Sequence, residues 1–437
     1  MRFNLPSFCL ILIIAISFTI TSCNNSDDSP ANNGDILDRL NALAGVSAIE
    51  LITVDHFNRL FEITVEQPVD HNQPNGAVFT QKIYLGHIDE NLPVAFETEG
   101  YARSSHKTRE LSGLLNINQL TVEHRYFGES VPFPKDWQYL TIWQAAQDHH
   151  RIVELFKTIY KANWVSSGAS KGGNAAIFHR RFFPDDVDAT VAYVTPLLFE
   201  EEDQRFLEFY QTAGNEMCRE KMKAYQRNML MKIDSFPPLF ETYINDVNEF
   251  YSTDIKFSLP FESIVYFAIM EDYAFEFWSS ETENCGDIPN ENASVQELFN
   301  HFVAVFDIFL FFSDYGVEFW TPWLYQAKTE IGTYAYDADH LQDLTMNIAP
   351  PVTFNIPTEF DPSVMADIDN WLQTESSRLI LIYGQEDPWT VAAIDHPGFD
   401  DVIKTTNSIT KHSTRIADLE SSSRTLILEH LNMWLGL

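Results

Sequence analysis

The sequence predicts an α/β fold in which a mostly parallel sheet, covered by helices on both faces, carries an inserted helical domain. Three observations predict it. The folded part opens on two strand-like runs separated by a short turn; strand-like and helix-like runs then alternate; and a long stretch rich in aromatic residues and methionine interrupts that alternation before its last strands.

RLFEITVEQPVDH (Arg59 to His71) and VFTQKIYLGHI (Val78 to Ile88) read as strands joined by a turn around Gln73-Pro74-Asn75-Gly76. So short a separation favours an antiparallel hairpin. LPVAFETEGY (Leu92 to Tyr101) reads as a third strand and NQLTVEHRYFGES (Asn118 to Ser130) as a fourth running into a loop. From Trp143 to Tyr160, apolar residues including Ala146, Ile152, Val153, Phe156 and Ile159 recur at helical spacing. Asn163-Trp164-Val165 is a short buried strand, and a helix follows through Ala175 to Phe178. Val187 to Leu197, Arg378 to Trp389 and Val402 to Thr406 read as the later strands, with a helix in STRIADL (Ser413 to Leu419). The expected organisation is residues 1–22 a signal peptide, 23–45 a lipidated cysteine and flexible tether, 46–198 the first part of the core, 199–350 a helical cap, and 351–437 the second part of the core.

Composition narrows the function classes. Sixty-three acidic side chains against 28 basic ones leave a formal charge of −35. That charge argues against unaided binding to nucleic acid or anionic lipid, and it suits cationic ligands such as peptides with a free amino terminus. At the start, Arg2 precedes an apolar run from Phe8 to Ile20, the layout of a secretory signal. Ile20-Thr21-Ser22-Cys23 resembles a bacterial lipobox, in which Cys23 becomes the lipidated first residue of an envelope protein. With Cys9 lost in the signal, Cys218 and Cys285 remain as candidates for a disulfide in an oxidising envelope. No CxxC, HExxH or P-loop pattern is present, so no metal or other cofactor is expected. Contact with the membrane is expected through the lipid anchor alone, and these features leave the oligomeric state open.

The chemistry centres on SSGASKGGNAAIF, where Ser170 sits between Gly168 and Gly172. G-x-S-x-G between a strand and a helix is the signature of a nucleophile elbow, a strained turn that exposes a serine oxygen at a helix start. A serine hydroxyl is a weak nucleophile until a base takes its proton, and the base needs a carboxylate to orient it. Asp387 follows the apolar strand LILIYG, as an acid at a strand end should. Three histidines lie downstream of it: His396 reads as a turn residue, His430 as part of an apolar helix, and His412 as a loop residue after a strand. His412 is therefore the candidate base. Backbone N–H groups of Lys171 and of the loop at Gly100 and Tyr101 are the candidate oxyanion donors, with the Lys171 side chain expected to be solvated.

GASKGG (Gly168 to Gly173), EHRYFGES (Glu123 to Ser130), YGQEDPW (Tyr383 to Trp389) and KHSTRIADL (Lys411 to Leu419) together resemble the secreted bacterial prolyl tripeptidyl aminopeptidases. That serine-peptidase family is related to the prolyl carboxypeptidase and dipeptidyl-peptidase group. The resemblance spans nearly the whole mature chain and implies an α/β-hydrolase core, a helical cap, the triad Ser170, Asp387 and His412, and release of tripeptides from free amino termini after proline. It also implies site-shaping roles for Glu123, His124, Arg125 and Glu129, with Glu123 and Glu129 the candidates for substrate contact and buried ion pairing the competing role. Trp389 would supply an aromatic wall for proline or pack under the acid loop. Two rival readings use the same core: a lipoprotein esterase or lipase, and a non-catalytic envelope binding protein. An aminopeptidase needs cap carboxylates for an ammonium, and Glu200, Glu201, Glu202, Asp203, Glu271 and Asp272 are all available.

Overall fold

The computed structural model describes residues 34–52, 56–103, 105–345 and 358–437. The expected signal peptide and Cys23 lie outside the described residues. The tether does not extend to residue 45. Helix α1 (Ile36–Asn41) is capped by the Asp35 carboxylate, which accepts the Leu37 N–H at 2.8 Å, and it buries Ile36 and Leu40 against the sheet.

Strand β1 (Val46–Leu51) pairs antiparallel with β2 (Arg59–Pro68), which pairs antiparallel with β3 (Val78–His87). The sequence pattern passes over β1 because it is an edge strand with one buried residue, Ala48, and so shows little alternation. The chain continues through β4 (Val94–Thr98), α2 (Glu110–Leu115), β5 (Asn118–Val122), α3 (Ile142–Phe156), β6 (Trp164–Ala169), α4 (Lys171–Phe182) and β7 (Ala189–Tyr193). After the insertion come α13 (Pro362–Thr374), β10 (Leu379–Gly384), β11 (Val402–Asn407) and α14 (Ser421–Leu435). Among the described residues nine strands form the main sheet in the order β1-β2-β3-β5-β4-β6-β7-β10-β11, antiparallel at the entry and parallel from β5 onward. This is the α/β-hydrolase fold.

Both faces are covered. In β10, Leu379, Leu381 and Tyr383 pack with α4 and α13, whereas Ile380 and Ile382 pack with α14 on the other face. That two-residue alternation of equally apolar partners is why the strand reads as one continuous apolar run. On α3, His149 is buried against Phe96 and His179, while its neighbour His150 pairs with Asp186 at 2.8 Å. The helix expected in Ser413 to Leu419 is a single 3₁₀ turn, Ile416–Asp418. Local bonds compete for its backbone: the Asp418 carboxylate accepts the Arg415 N–H at 2.8 Å, and the Glu110 carboxylate accepts those of Ile416 and Ala417 at 2.9 Å.

The insertion opens with β8 (Glu202–Asp203) and runs through α5 (Arg205–Thr212), α6 (Glu216–Met231), α7 (Pro237–Tyr251), α8 (Phe261–Phe267), α9 (Tyr273–Ser279), α10 (Val295–Val305), α11 (Ile308–Phe312) and α12 (Asp314–Gln326) to β9 (Thr333–Tyr334). β8 and β9 pair in parallel, so the insertion leaves and rejoins the core at one place. Its own core is aromatic, with Tyr225, Phe236, Phe240, Tyr273, Phe299 and Phe302 in a single cluster. A disulfide joins Cys218 on α6 to Cys285 beyond α9, at a sequence separation of 67. A smaller cluster of Phe206, Tyr210, Phe275 and Ala392, with Trp389 and Tyr334 packed on it, joins the cap to the loop after β10.

Candidate active site

Ser170 occupies the turn between β6 and α4 with φ 55° and ψ −128°, a backbone conformation that L residues rarely adopt. Such strain costs about 1–3 kcal/mol and persists only where the surroundings impose it. Here the Ser170 N–H donates to the Tyr193 carbonyl at 2.8 Å, and the Ser170 carbonyl accepts the Asn174 N–H at 3.0 Å. The end of β4 presses on the same turn. A Cβ on Gly172 would stand 2.5 Å from the Thr98 carbonyl oxygen, and one on Gly168 would stand 2.3 Å from the Gly172 carbonyl, so neither position accepts a side chain. The Thr98 hydroxyl, which lies outside the G-x-S-x-G motif, ties β6 to α4 by donating toward the Ser167 and Gly172 carbonyls at 3.1 and 2.8 Å.

The loops after β10 and β11 bring the other two groups together. Asp387 is buried; one carboxylate oxygen accepts the Trp389 N–H at 3.0 Å, and the other lies 2.7 Å from His412 Nδ1. This contact sets the imidazole with Nδ1 toward the acid, leaving Nε2 as the nitrogen for proton transfer. The other downstream histidines are engaged elsewhere: His396 Nδ1 accepts the Gly398 N–H at 3.0 Å, and His430 Nδ1 bonds the Leu426 carbonyl inside α14 at 2.8 Å.

Lys171 corrects an expectation. Its side chain is buried rather than solvated, donating from Nζ to the Gly100 carbonyl at 2.7 Å and lying 5.5 and 5.0 Å from the ring centres of Tyr101 and Phe127. Burial pushes the amine well below its ordinary range, opposed by Glu330, whose own carboxyl is raised to about 7 chiefly by burial. Because the peptide unit is planar, gripping the Gly100 carbonyl orients the Tyr101 N–H on the same plane. Lys171 is thus placed to position one of the two candidate oxyanion donors. Lys171→Met is expected to lower kcat by about 10²-fold with little change in KM, the scale of losing one oxyanion donor. Equal loss of kcat and of unfolding free energy, with no kcat-specific part, would show a merely structural role.

The EHRYFGES segment builds its own loop. The Glu123 carboxylate accepts N–H groups of Glu129 and Ser130 at 2.8 and 2.9 Å, the Ser130 hydroxyl at 2.8 Å and the Arg103 N–H at 2.6 Å. These four bonds engage both carboxylate oxygens within the chain, so the structure shows Glu123 holding its own loop. Glu129 is an exposed partner of Lys82. Arg125 is fully buried in a bidentate pair with Asp148, at 2.7 and 2.8 Å. Trp389 lies edge-on to Phe275 at 4.9 Å and 6.4 Å from the His412 ring, at the junction of core and cap.

Residues 29–437 match the family model described as PS-10 peptidase S37. A Streptomyces mobaraensis protein named prolyl tri/tetrapeptidyl aminopeptidase is 33% identical over 368 residues, covering 82% of this chain and 76% of its own length. A Caenorhabditis elegans protein named prolyl carboxy peptidase like protein 5 is 26% identical over 133 residues, 26% of each chain. Among solved structures, proline iminopeptidase from Mycobacterium smegmatis aligns with a TM-score of 0.38 at 11% identity, over 85% of this chain and 99% of its own. On the match across nearly its whole length and the relative that is 33% identical over 82% of it, this chain belongs to the PS-10 peptidase S37 family.

Proposed function

We propose that this chain is a serine aminopeptidase that releases tripeptides, with proline before the cleaved bond, from free amino termini. The observation that carries the reading is the Asp387–His412 contact at 2.7 Å on the two strand-end loops of the half of the sheet that also carries the strained Ser170 turn, in a chain of a peptidase family. In this mechanism the Ser170 oxygen attacks the carbonyl carbon of the scissile bond as His412 Nε2 takes its proton. The oxyanion accepts the N–H of Lys171 and that of Tyr101. Asp387 stabilises the imidazolium, which then protonates the departing amine. Water, deprotonated by His412, releases the peptide from Ser170.

The substrate preference is taken from the name of the Streptomyces relative, and the test compares three substrates. Purified protein should hydrolyse a chromogenic tripeptide ending in proline with a free amino terminus, spare the amino-blocked form, and lose turnover in Ser170→Ala. Ester turnover without peptide cleavage would favour an esterase. The peptide is the partner, with no nucleic acid and no membrane contact beyond a lipid. The N-terminal segment, from Arg2 and its apolar run to Cys23, supports export and anchoring in the cell envelope, at the outer membrane or cell surface. Cys23→Ser should shift the protein from the membrane fraction to the soluble fraction; an unchanged distribution would reject the anchor.

A further inference from the structure

A group of carboxylates in the cap lies beside the aromatic junction that meets His412. Asp272 ends a wide helical turn, Ala268–Asp272, and Glu276 lies one turn on in α9, so the two share a face. The Tyr334 hydroxyl donates to Asp272 at 2.7 Å. The Tyr334 ring stacks on Phe275 at 3.9 Å and meets Trp389 at 5.6 Å, and Trp389 in turn faces His412 at 6.4 Å. Two ring contacts and one hydrogen bond therefore lead from His412 to Asp272. Laid end to end these contacts only bound the His412–Asp272 separation from above, at somewhat more than the roughly 10–14 Å spanned by three or four extended residues.

Among the described residues no lysine, arginine or histidine forms an ion pair with Asp272, Glu276 or Glu271. Lys328, the cation within electrostatic range of Glu271, is committed to Glu201 at 3.3 Å. An independent observation points into the same place. Tyr210 on α5 is 7% exposed, its hydroxyl has no hydrogen-bond partner, and that hydroxyl lies within electrostatic range of Asp272 and Glu276. A buried donor and acceptor left open costs free energy unless a ligand completes it.

We propose that Asp272 and Glu276, framed by the Tyr210 and Tyr334 hydroxyls, receive the α-ammonium of the substrate and so set how many residues lie between it and Ser170. The proposal rests on the aminopeptidase reading. Burial supports it: Glu276 is raised to about 8 by burial and then by the charge of Asp272, and Asp272 is raised to about 6 by burial despite the Tyr334 bond. Glu271, raised to about 7, faces Asp272, Glu202 and Lys328, and Asp337 faces Tyr210. A bound ammonium would supply the missing charge for the whole group.

The test measures kcat/KM for the free and amino-blocked tripeptides and for a short acyl ester, in wild type, Asp272→Asn, Glu276→Gln, the double variant and Tyr210→Phe. The double variant is expected to lose about 10²-fold on the free tripeptide, the scale of an unpaired buried charge, while ester turnover stays within about twofold. Its preference for free over blocked peptide should collapse. A free-to-blocked ratio equal to that of wild type, with ester turnover intact, would overturn the assignment and leave the aminopeptidase reading standing. If wild type itself fails to prefer the free tripeptide, both fall. Should the double variant lose ester turnover as well, the isosteric single variants and Tyr210→Phe carry the same comparison.

Discussion

Ser170→Ala is expected to lower turnover of the free tripeptide by about 10⁴–10⁶-fold, with the fold and the substrate KD unchanged. The lower bound follows from what remains in such sites without the triad, since oxyanion donors and substrate binding alone still accelerate the reaction. Alanine also relieves no strain, because the φ of 55° is imposed by the Tyr193 and Asn174 bonds and by the glycine contacts, not by the hydroxyl. The variant should therefore melt within about 1 kcal/mol of wild type, the range of a substitution that leaves packing intact. Combining Ser170→Ala with His412→Ala should add little to the loss, since groups that act on one proton fail together. Additive losses, or retained peptide turnover in Ser170→Ala, would remove Ser170 from the chemistry.

The largest effect on stability is expected far from any substrate. Arg125→Met should destabilise the protein by about 3–5 kcal/mol, because it leaves Asp148 charged and buried without its partner. Arg125 is fully buried and, besides its two bonds to Asp148, donates to the carbonyls of Val69, Tyr139 and Pro68 at 3.1, 2.7 and 3.2 Å, while His71 meets Asp148 at 2.7 Å. It thus ties the end of β2, the loop before α3, and α3 itself. Burial alone would raise the Asp148 carboxyl; the charge and hydrogen bonds of Arg125, with His71, outweigh it and hold the group below its ordinary range. A lowered carboxylate contributes stability above its unfolded pKa of about 3.9 and loses it as pH falls through the folded value. The gap between wild type and Arg125→Met in urea titrations should therefore narrow in acid. A double replacement, Arg125→Met with Asp148→Leu, should recover much of the loss, since removing both charges leaves none unpaired. If Arg125→Met and wild type have the same midpoint at neutral pH, the pair contributes no stability.

Part of this was legible in the chain because the pertinent constraints are local. A strained turn needs small neighbours, so Gly168 and Gly172 around Ser170 mark the elbow in the sequence itself. A strand buried on both faces needs an unbroken apolar run, so Leu379–Gly384 and the acid after it stand out. The four motifs in order suffice to identify the peptidase family, which the match over residues 29–437 shows. The candidates His396, His412 and His430 were separable by their loop or helix context, and the geometry brings His412 to Asp387.

What the sequence left open depends on partners distant along the chain. No local pattern says that β5 inserts between β3 and β4, since strand order is set by how crossovers pack on a shared sheet. β1 and α1 bury too few side chains to impose a period. Lys171 looked like a surface lysine because its cover, Tyr101, Phe127 and Glu330, comes from three other segments. Glu123 and Glu129 looked alike as acids in one motif, yet one closes a loop around itself and the other faces water. Among the many acidic residues of the insertion, composition could not select Asp272 and Glu276. Only the fold brings them near the Tyr210 and Tyr334 hydroxyls, because burial and the lack of a counter-ion are properties of a place, not of a residue type.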